Sequence, residues 1–131
     1  MAGEPILIVD DNAMNLKLTR VLLSSLGYTV RTATNAEETL ATLATFRPRL
    51  ILMDIQLPDI DGLELTRRLK ADPTTRDICI VALTAYAMKG DEQRARAAGC
   101  DGYITKPIDT RALPGVVAGY LQPDAEEEPQ A

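Results

Sequence analysis

The sequence contains no histidine, only two cysteines, and few aromatic residues, which make up 4% of the chain. Without histidine the protein has no His-based general base, no histidine metal ligand and no phosphohistidine of its own. Cys79 and Cys100 lack the spacing of a metal site, so we interpret them as reduced thiols of a cytoplasmic protein. No apolar run approaches the roughly 20 residues that span a bilayer, and no secretory signal precedes the first strand, so we expect no membrane association.

The composition is that of an ordinary globular domain: 131 residues, 46% hydrophobic and 25% charged. The net charge of −5 comes mostly from the last ten residues, where Asp124, Glu126, Glu127 and Glu128 have no basic neighbour. No basic block suggests a nucleic-acid partner. We predict one folded domain over residues 1–121 and a disordered acidic tail over residues 122–131.

Short apolar runs alternate with longer segments of helical periodicity, which favours an α/β fold with a parallel sheet. Three of the apolar runs are continuous, as in strands that are covered on both faces. The run at Thr29–Ala33 alternates more and is typical of an edge strand. The predicted strands are residues 6–10, Thr29–Ala33, Leu50–Asp54, Cys79–Thr84 and Gly102–Thr105.

Five helices are predicted between and after these strands. They begin near residues 13, 35, 61, 89 and 110 and end near residues 26, 47, 72, 98 and 121. On the first helix, the apolar positions Met14, Leu18, Val21, Leu22 and Leu26 follow helical spacing and predict the helix itself. On the last helix, Pro114 predicts a late start or a kink.

Polar residues stand where the predicted strands end. Asp10 and Asp11 close the first strand, Asp54 the third and Thr84 the fourth, and Lys106 follows the fifth. If the strand order is 2-1-3-4-5, the three carboxylates converge at the edge of the sheet where ligands bind. Clustered carboxylates repel one another unless a cation relieves them, and oxygen ligands suit Mg²⁺.

This arrangement points to phosphoryl transfer onto a carboxylate. A carboxylate can attack a phosphoryl group to give an aspartyl-phosphate, and the transfer needs charge neutralisation more than acid–base catalysis. Lys106 and the metal would supply positive charge, and Thr84 a hydroxyl for a phosphoryl oxygen. Asp59 and Asp61 carry no such prediction, since Asp61 is typical of a helix N-cap and Asp59 of a loop.

The sequence resembles the response regulator receiver family. The resemblance extends over residues 6–121 and rests on six segments: Ile8-Val9-Asp10-Asp11-Asn12, Leu52-Met53-Asp54-Ile55-Gln56-Leu57-Pro58, Asp61-Gly62, Ala82-Leu83-Thr84-Ala85, Ala98-Gly99-Cys100-Asp101-Gly102-Tyr103 and Thr105-Lys106-Pro107-Ile108. It implies a single doubly wound (βα)₅ domain with a parallel five-stranded sheet of order 2-1-3-4-5.

The resemblance also implies roles for single residues. Asp54 resembles the phosphoacceptor, and Asp11, Asp54 and the Gln56 carbonyl resemble the direct ligands of Mg²⁺ (or Mn²⁺), with Asp10 acting through water. Lys106 resembles the lysine that contacts the phosphoryl group. Thr84 and Tyr103 resemble the paired switch residues. The bond between Lys106 and Pro107 is expected to be cis.

A receiver implies a sensor histidine kinase or a histidine phosphotransfer protein as phosphodonor and a protein partner that reads the result. It catalyses its own phosphorylation and dephosphorylation and is not a turnover enzyme. The motifs are similar to those of stand-alone cell-cycle receivers and of receivers in hybrid sensor kinases. The initial Met1 and the absence of further domains lead us to expect a stand-alone protein without an output domain.

Two other functions are weighed against this one. The irregular last helix, with Pro114 and Gly115, raises the alternative of a module that docks a kinase without being phosphorylated. An aspartate-nucleophile phosphatase would place its nucleophile on the first strand and a second Asp two residues later. Here Asp10 and Asp11 are adjacent, which disfavours the phosphatase.

Overall fold

Five strands alternate with five helices along the chain in the computed structural model, which describes residues 3–84, 89–106 and 108–121. The strands are β1 (Pro5–Val9), β2 (Thr29–Ala33), β3 (Leu50–Asp54), β4 (Cys79–Thr84) and β5 (Gly102–Thr105). The helices are α1 (Ala13–Ser25), α2 (Ala36–Leu43), α3 (Gly62–Ala71), α4 (Lys89–Ala97) and α5 (Leu113–Tyr120). The predicted order of elements is therefore confirmed.

The strands form one parallel sheet of order β2-β1-β3-β4-β5, as predicted. The central strand β3 is buried along its whole length, whereas β2 lies at the edge and is largely exposed. Strand β1 ends at Val9, one residue before its predicted end. Asp10 still donates its backbone N–H to the Ala33 carbonyl at 3.1 Å, so the ladder continues by one hydrogen bond beyond the strand.

The core is divided into two clusters by the sheet. Side chains alternate between the faces along each strand, so Ile51 and Met53 point to one cluster and Leu50 and Leu52 to the other. Helices α2, α3 and α4 cover the first face, and α1 and α5 cover the second. The chain is thus doubly wound, with helices on both faces of the sheet.

Side-chain caps fix where three of the helices begin. Asn12, Asn35 and Asp61 each accept a backbone N–H from the first turn of α1, α2 and α3 at 3.0, 2.7 and 2.7 Å. The predicted N-cap role of Asp61 is confirmed. Gly27 and Gly99 follow α1 and α4 with φ of 99° and 105°, a conformation that a side chain would disfavour.

Helix α1 is present as predicted, but the apolar positions that predict it do not form its buried face. Leu16, Thr19 and Leu23 face the sheet. Met14 is 79% exposed, and Leu18 and Val21 are each 51% exposed. Leu26 is exposed as well, and of the five predicted positions only Leu22 packs partly against the core. Apolar residues occupy more than one side of this helix, so its periodicity alone does not select the face that packs.

Helix α5 begins late, as Pro114 predicts. Residues 109–112 form a turn in which the Asp109 carbonyl accepts the N–H of Leu113 at 2.9 Å, and Pro114 then lies in the first turn of the helix. A proline there removes no intrahelical hydrogen bond. None of the described helices is long and apolar enough to cross a membrane. The predicted tail at 122–131 and the predicted cis bond before Pro107 fall outside the described residues.

Candidate functional site

Three carboxylates meet at the carboxyl edge of the sheet because β1 and β3 are neighbours. Val9 pairs with Met53, so the next residues, Asp10 and Asp54, leave adjacent strands side by side. One carboxylate oxygen from each of Asp10, Asp11 and Asp54 lies within 4.8 Å of the other two. Asp10 and Asp54 are buried and Asp11 is exposed. The predicted convergence of the three residues is therefore present in the fold.

The Asp54 carboxylate is held by one hydrogen bond on each oxygen. Oδ1 accepts the backbone N–H of Gln56 at 3.0 Å, and Oδ2 accepts from Nζ of Lys106 at 3.0 Å. Burial raises the pKa of Asp54 above its ordinary value, the bonds from Lys106 and Gln56 oppose that rise, and the neighbouring Asp10 adds to it. The orientation of the carboxylate is thereby fixed by its two neighbours.

Lys106 is the cation of the site. Its Nζ lies 3.4 Å from Oδ2 of Asp10 as well as 3.0 Å from Oδ2 of Asp54. Its backbone N–H donates to the Thr84 carbonyl at 2.7 Å, which ties its position to the end of β4. Desolvation lowers the pKa of Lys106, but its hydrogen bond to Asp54 and the negative charges of Asp54 and Asp10 outweigh that effect and raise it.

Asp10 leaves one oxygen without a hydrogen bond. Its Oδ1 accepts the N–H of Asn12 at 2.9 Å, whereas Oδ2 is buried and has no hydrogen-bond partner among the described residues. The charge closest to this oxygen is the Lys106 ammonium at 3.4 Å, which also pairs with Asp54, so two buried carboxylates depend on one cation. Together with the exposed Asp11, the cluster offers oxygen ligands and excess negative charge, which fit a hard divalent cation such as Mg²⁺.

Thr84 and Tyr103 lie on the last two strands of the sheet, β4 and β5. Thr84 is buried at the end of β4 and pairs with Thr105 of β5. Tyr103 is half-buried and packs against the cluster that α2, α3 and α4 cover. The loop that follows Thr84, residues 85–88, lies outside the described residues. The fold thus brings both predicted switch residues to the strands that border the site.

Gly62 helps to position Asp54, a role that its place directly after Asp61 does not by itself predict. A Cβ at this position would lie 2.1 Å from the Asp54 carbonyl oxygen, since α3 begins directly against the end of β3. The Gly62 N–H donates to the Ile55 carbonyl at 2.7 Å. Glycine is therefore required by this close approach, and the approach helps to set the position of Asp54.

Asp59 was expected to be a loop carboxylate, and the structure gives it a specific partner. Its two oxygens accept the N–H groups of Ala36 and Glu37 at 3.0 and 3.1 Å, at the start of α2. The backbone donors, Ala36 foremost, hold the pKa of Asp59 below its ordinary value, although desolvation opposes them. Asp59 therefore joins the loop after β3 to α2. No local pattern could reveal this, because 22 or more residues separate the partners.

The described fold and site are those of the receiver class, and the comparisons with known proteins agree. The family model of the response regulator receiver domain matches residues 6–118. Because that match covers most of the chain, the protein belongs to the response regulator receiver family of two-component signal transduction, and the resemblance seen in the sequence is confirmed.

Two curated relatives show the stand-alone kind of receiver. The polar-differentiation response regulator DivK of Brucella anthropi is 49% identical over 117 residues, which cover 88% of this chain and 94% of DivK. DivK of Brucella ovis is 47% identical over the same length and coverage.

Two solved structures share the fold closely. A CheY-like response regulator receiver domain protein from Methanospirillum hungatei superposes with a TM-score of 0.86 at 32% identity, covering 96% of this chain and 99% of its own. The receiver domain of a sensor histidine kinase from Pseudomonas aeruginosa gives 0.82 at 34% identity, covering 92% and 98%. It holds a magnesium ion in its active-site cleft.

Proposed function

We propose that Asp54 accepts a phosphoryl group from a phosphohistidine on a sensor histidine kinase or a histidine phosphotransfer protein. An oxygen of the Asp54 carboxylate forms a bond to phosphorus while the bond from phosphorus to the imidazole nitrogen breaks, and the electron pair leaves with that nitrogen. The observation that carries the proposal is the cluster of Asp10, Asp11 and Asp54 with Lys106 bonded to Asp54.

The metal assignment follows from the same cluster. Asp11, Asp54 and the Gln56 carbonyl are proposed as direct ligands of Mg²⁺ (or Mn²⁺), with Asp10 acting through a water molecule. The bound ion would supply positive charge to the phosphoryl oxygens as they approach Asp54. The magnesium ion in the related Pseudomonas aeruginosa receiver supports this assignment.

The other groups of the site neutralise and orient. Lys106 offsets the negative charge that gathers between Asp54 and the incoming phosphoryl group, and the Thr84 hydroxyl donates to a phosphoryl oxygen. Since these groups belong to the chain itself, we propose that it catalyses its own phosphorylation and dephosphorylation and turns over no external substrate. Cys79 and Cys100 form no disulfide, which supports a reducing, cytoplasmic location.

Readout is proposed to follow from the charge that phosphorylation adds. The phosphoryl group draws the Thr84 side chain towards it, Tyr103 moves further inward, and the surface of α4, β5 and α5 changes for a protein partner. Such a response is a shift between two populations that a local charge biases. Tyr103 is half-buried in this structure, so its side chain still has exposed surface that an inward movement would bury.

The exposed face of α1 supports a protein as phosphodonor. Met14, Leu18 and Val21 follow one another at helical spacing, and α1 begins two residues after Asp11. A donor whose phosphohistidine reaches Asp54 must cover this rim of the site. We therefore propose that the apolar α1 face, defined as these three residues, packs against the donor.

The proposal is tested by incubating the full chain with a small phosphodonor, acetyl phosphate, and Mg²⁺, and mapping the modified residue by mass spectrometry. We expect one phosphoryl group on Asp54 and none on Asp54→Asn. The matched control is Asp77→Asn, an exposed carboxylate before β4 that should leave labelling unchanged. Labelling of another residue in the wild-type protein would refute the assignment of Asp54.

The alternative of a module that docks a kinase without phosphorylation rested on an irregular last helix, and α5 does not supply that irregularity. Pro114 lies in the first turn of α5, and Leu113 and Val117 are buried in the core, so the helix packs in an ordinary way. Partner affinity that is equal for wild type and Asp54→Asn, with and without acetyl phosphate, would restore that alternative.

A further inference from the structure

A basic cleft of about 700 Å³ lies at the amino edge of the sheet, opposite the acidic cluster. Its walls come from the segments that lead into β3, β4 and β5 and from the end of α5, where Leu121 is the last described residue. Four basic side chains and two acidic ones line it. The local excess is therefore positive, although the whole chain carries −5.

Three arginines account for this excess. Arg47 donates to the Thr74 carbonyl, and Arg49 donates to the Leu121 carbonyl at 3.2 Å. Within the described part of the chain, neither these two nor Arg76 forms an ion pair with a carboxylate. All three are exposed. Glu4 and Asp72 attract Arg49 and Arg47 from beyond ion-pair distance, so these charges are offset only in part and remain available to an anionic occupant.

The fourth base of the cleft is already neutralised. Lys70 pairs with Asp101 at 3.0 Å and donates to the Arg76 and Ile78 carbonyls at 3.2 and 2.7 Å. Asp101 in turn accepts the Ile80 N–H at 2.9 Å. Lys70 and Asp101 thus form the part of the cleft wall between β4 and β5, and the three arginines are left to bind an anion.

We propose that this cleft holds the acidic segment of the same chain that follows it, residues 122–131. The segment leaves Leu121 at the wall of the cleft and carries Asp124, Glu126, Glu127 and Glu128 without a base. Asp124 follows Leu121 by three residues, so it can reach at most about 10 Å from it. Charge complementarity and this short tether select the occupant.

The tether gives the segment an advantage over a free anion. A group linked by a few residues is present at an effective concentration in the millimolar range, with no loss of translational freedom on binding. The segment carries few apolar side chains, so we expect contacts between charges rather than a packed interface. Salt should weaken them strongly, since the Debye length falls to about 3 Å at 1 M. This inference does not depend on phosphorylation of Asp54.

The test follows the guanidinium Nε–Hε signals of the full chain by ¹⁵N NMR. One variant neutralises the segment at constant length: Asp124→Asn, Glu126→Gln, Glu127→Gln and Glu128→Gln. We expect the signals of Arg47, Arg49 and Arg76 to shift relative to wild type, and this shift to vanish at about 1 M salt. Arg20, an exposed arginine on α1, should not shift.

A charge-retaining variant is the matched control. Asp124→Glu, Glu126→Asp, Glu127→Asp and Glu128→Asp keep the four charges, so the cleft signals should remain as in wild type. Cleft arginines that do not respond to neutralisation, or that shift no more than Arg20, would overturn the proposal. A response of these arginines to added inorganic phosphate but not to neutralisation would assign the cleft to a free anion, against the segment.

Discussion

The two edges of the sheet carry opposite charge, and they differ in how far their charged side chains are exposed to water. At the carboxyl edge, Asp10 and Asp54 are buried around a single lysine, and one oxygen of Asp10 has no hydrogen bond. At the amino edge, Arg47, Arg49 and Arg76 remain exposed to water. Desolvated charges interact strongly and hydrated charges weakly. The carboxyl edge is therefore suited to chemistry and the amino edge to reversible contact.

The largest effect on stability is expected at the carboxyl edge, where the start of α3 lies directly against the backbone at the end of β3. In Gly62→Ala the new Cβ would meet the rigid Asp54 carbonyl at 2.1 Å, so the start of α3 must move. We expect a loss of about 3 kcal/mol in the free energy of unfolding, the upper end of the usual cost of overpacking, measured with urea. The matched control is Gly115→Ala on α5, where a Cβ meets nothing within 4 Å. It should stabilise the protein by up to about 1 kcal/mol. Equal effects at both glycines would contradict the packing argument.

The second largest difference in stability between the two edges is expected when the cation of the carboxyl edge is removed. Lys106→Met leaves Asp10 and Asp54 without their nearest positive charge. Breaking a fully buried pair costs about 3–5 kcal/mol, and because Lys106 is partly hydrated we expect about 2 kcal/mol in urea unfolding. Mg²⁺ should restore part of the loss, since it supplies charge at the same carboxylates. Arg76→Gln at the amino edge should stay within about 0.5 kcal/mol. A larger loss there than at Lys106 would reverse the ranking of the edges.

The carboxyl edge should also be the one that a protein donor recognises. We expect the double variant Leu18→Ser, Val21→Ser to slow transfer from a phosphorylated histidine phosphotransfer protein about tenfold, equivalent to roughly 1.4 kcal/mol of contact energy. Phosphorylation by acetyl phosphate should not change. Leu40→Ser, at an equally exposed apolar position on α2, serves as control. If both variants slow the two donors equally, the α1 face has no part in docking.

The smallest effect concerns the loop between Asp54 and α3. The folded pKa of Asp59 is depressed by the N–H groups of Ala36 and Glu37, so its contribution to stability is present above its unfolded pKa of about 3.9 and disappears as pH falls through the folded value. The unfolding midpoints of wild type and Asp59→Asn should therefore differ near pH 6 and converge in acid. A constant difference at all pH values would assign the effect of Asp59 to shape instead of charge.

Much of the fold could be predicted because its signals are local. Continuous apolar runs marked β3 and β4, and Asp61 and Pro114 marked where α3 and α5 begin. The polar residues at strand ends then placed Asp10, Asp54 and Lys106 together once the strand order was assumed. That assumption, and not the spacing of the residues, was the essential step.

The features that sequence missed depend on distant neighbours. The packed face of α1 is selected by β1 and β2, and it includes the polar Thr19 while Leu18 stays exposed. The bonds from α2 to Asp59 and the cleft around Arg49 join segments far apart in the chain. Periodicity and motifs report neither kind of contact, because both describe neighbours along the sequence.

The alternation of side chains along the strands has a consequence for signalling. Asp54 continues the series of Leu50 and Leu52, which face α1 and α5, whereas Thr84 continues that of Ile80 and Ala82, which face α2, α3 and α4. In the proposed switch, the phosphoryl group is therefore received on one side of the sheet and sensed on the other. The signal therefore passes at the strand ends from the core cluster on one face of the sheet to the cluster on the other. The sequences of the covering helices can change without altering this point of transfer.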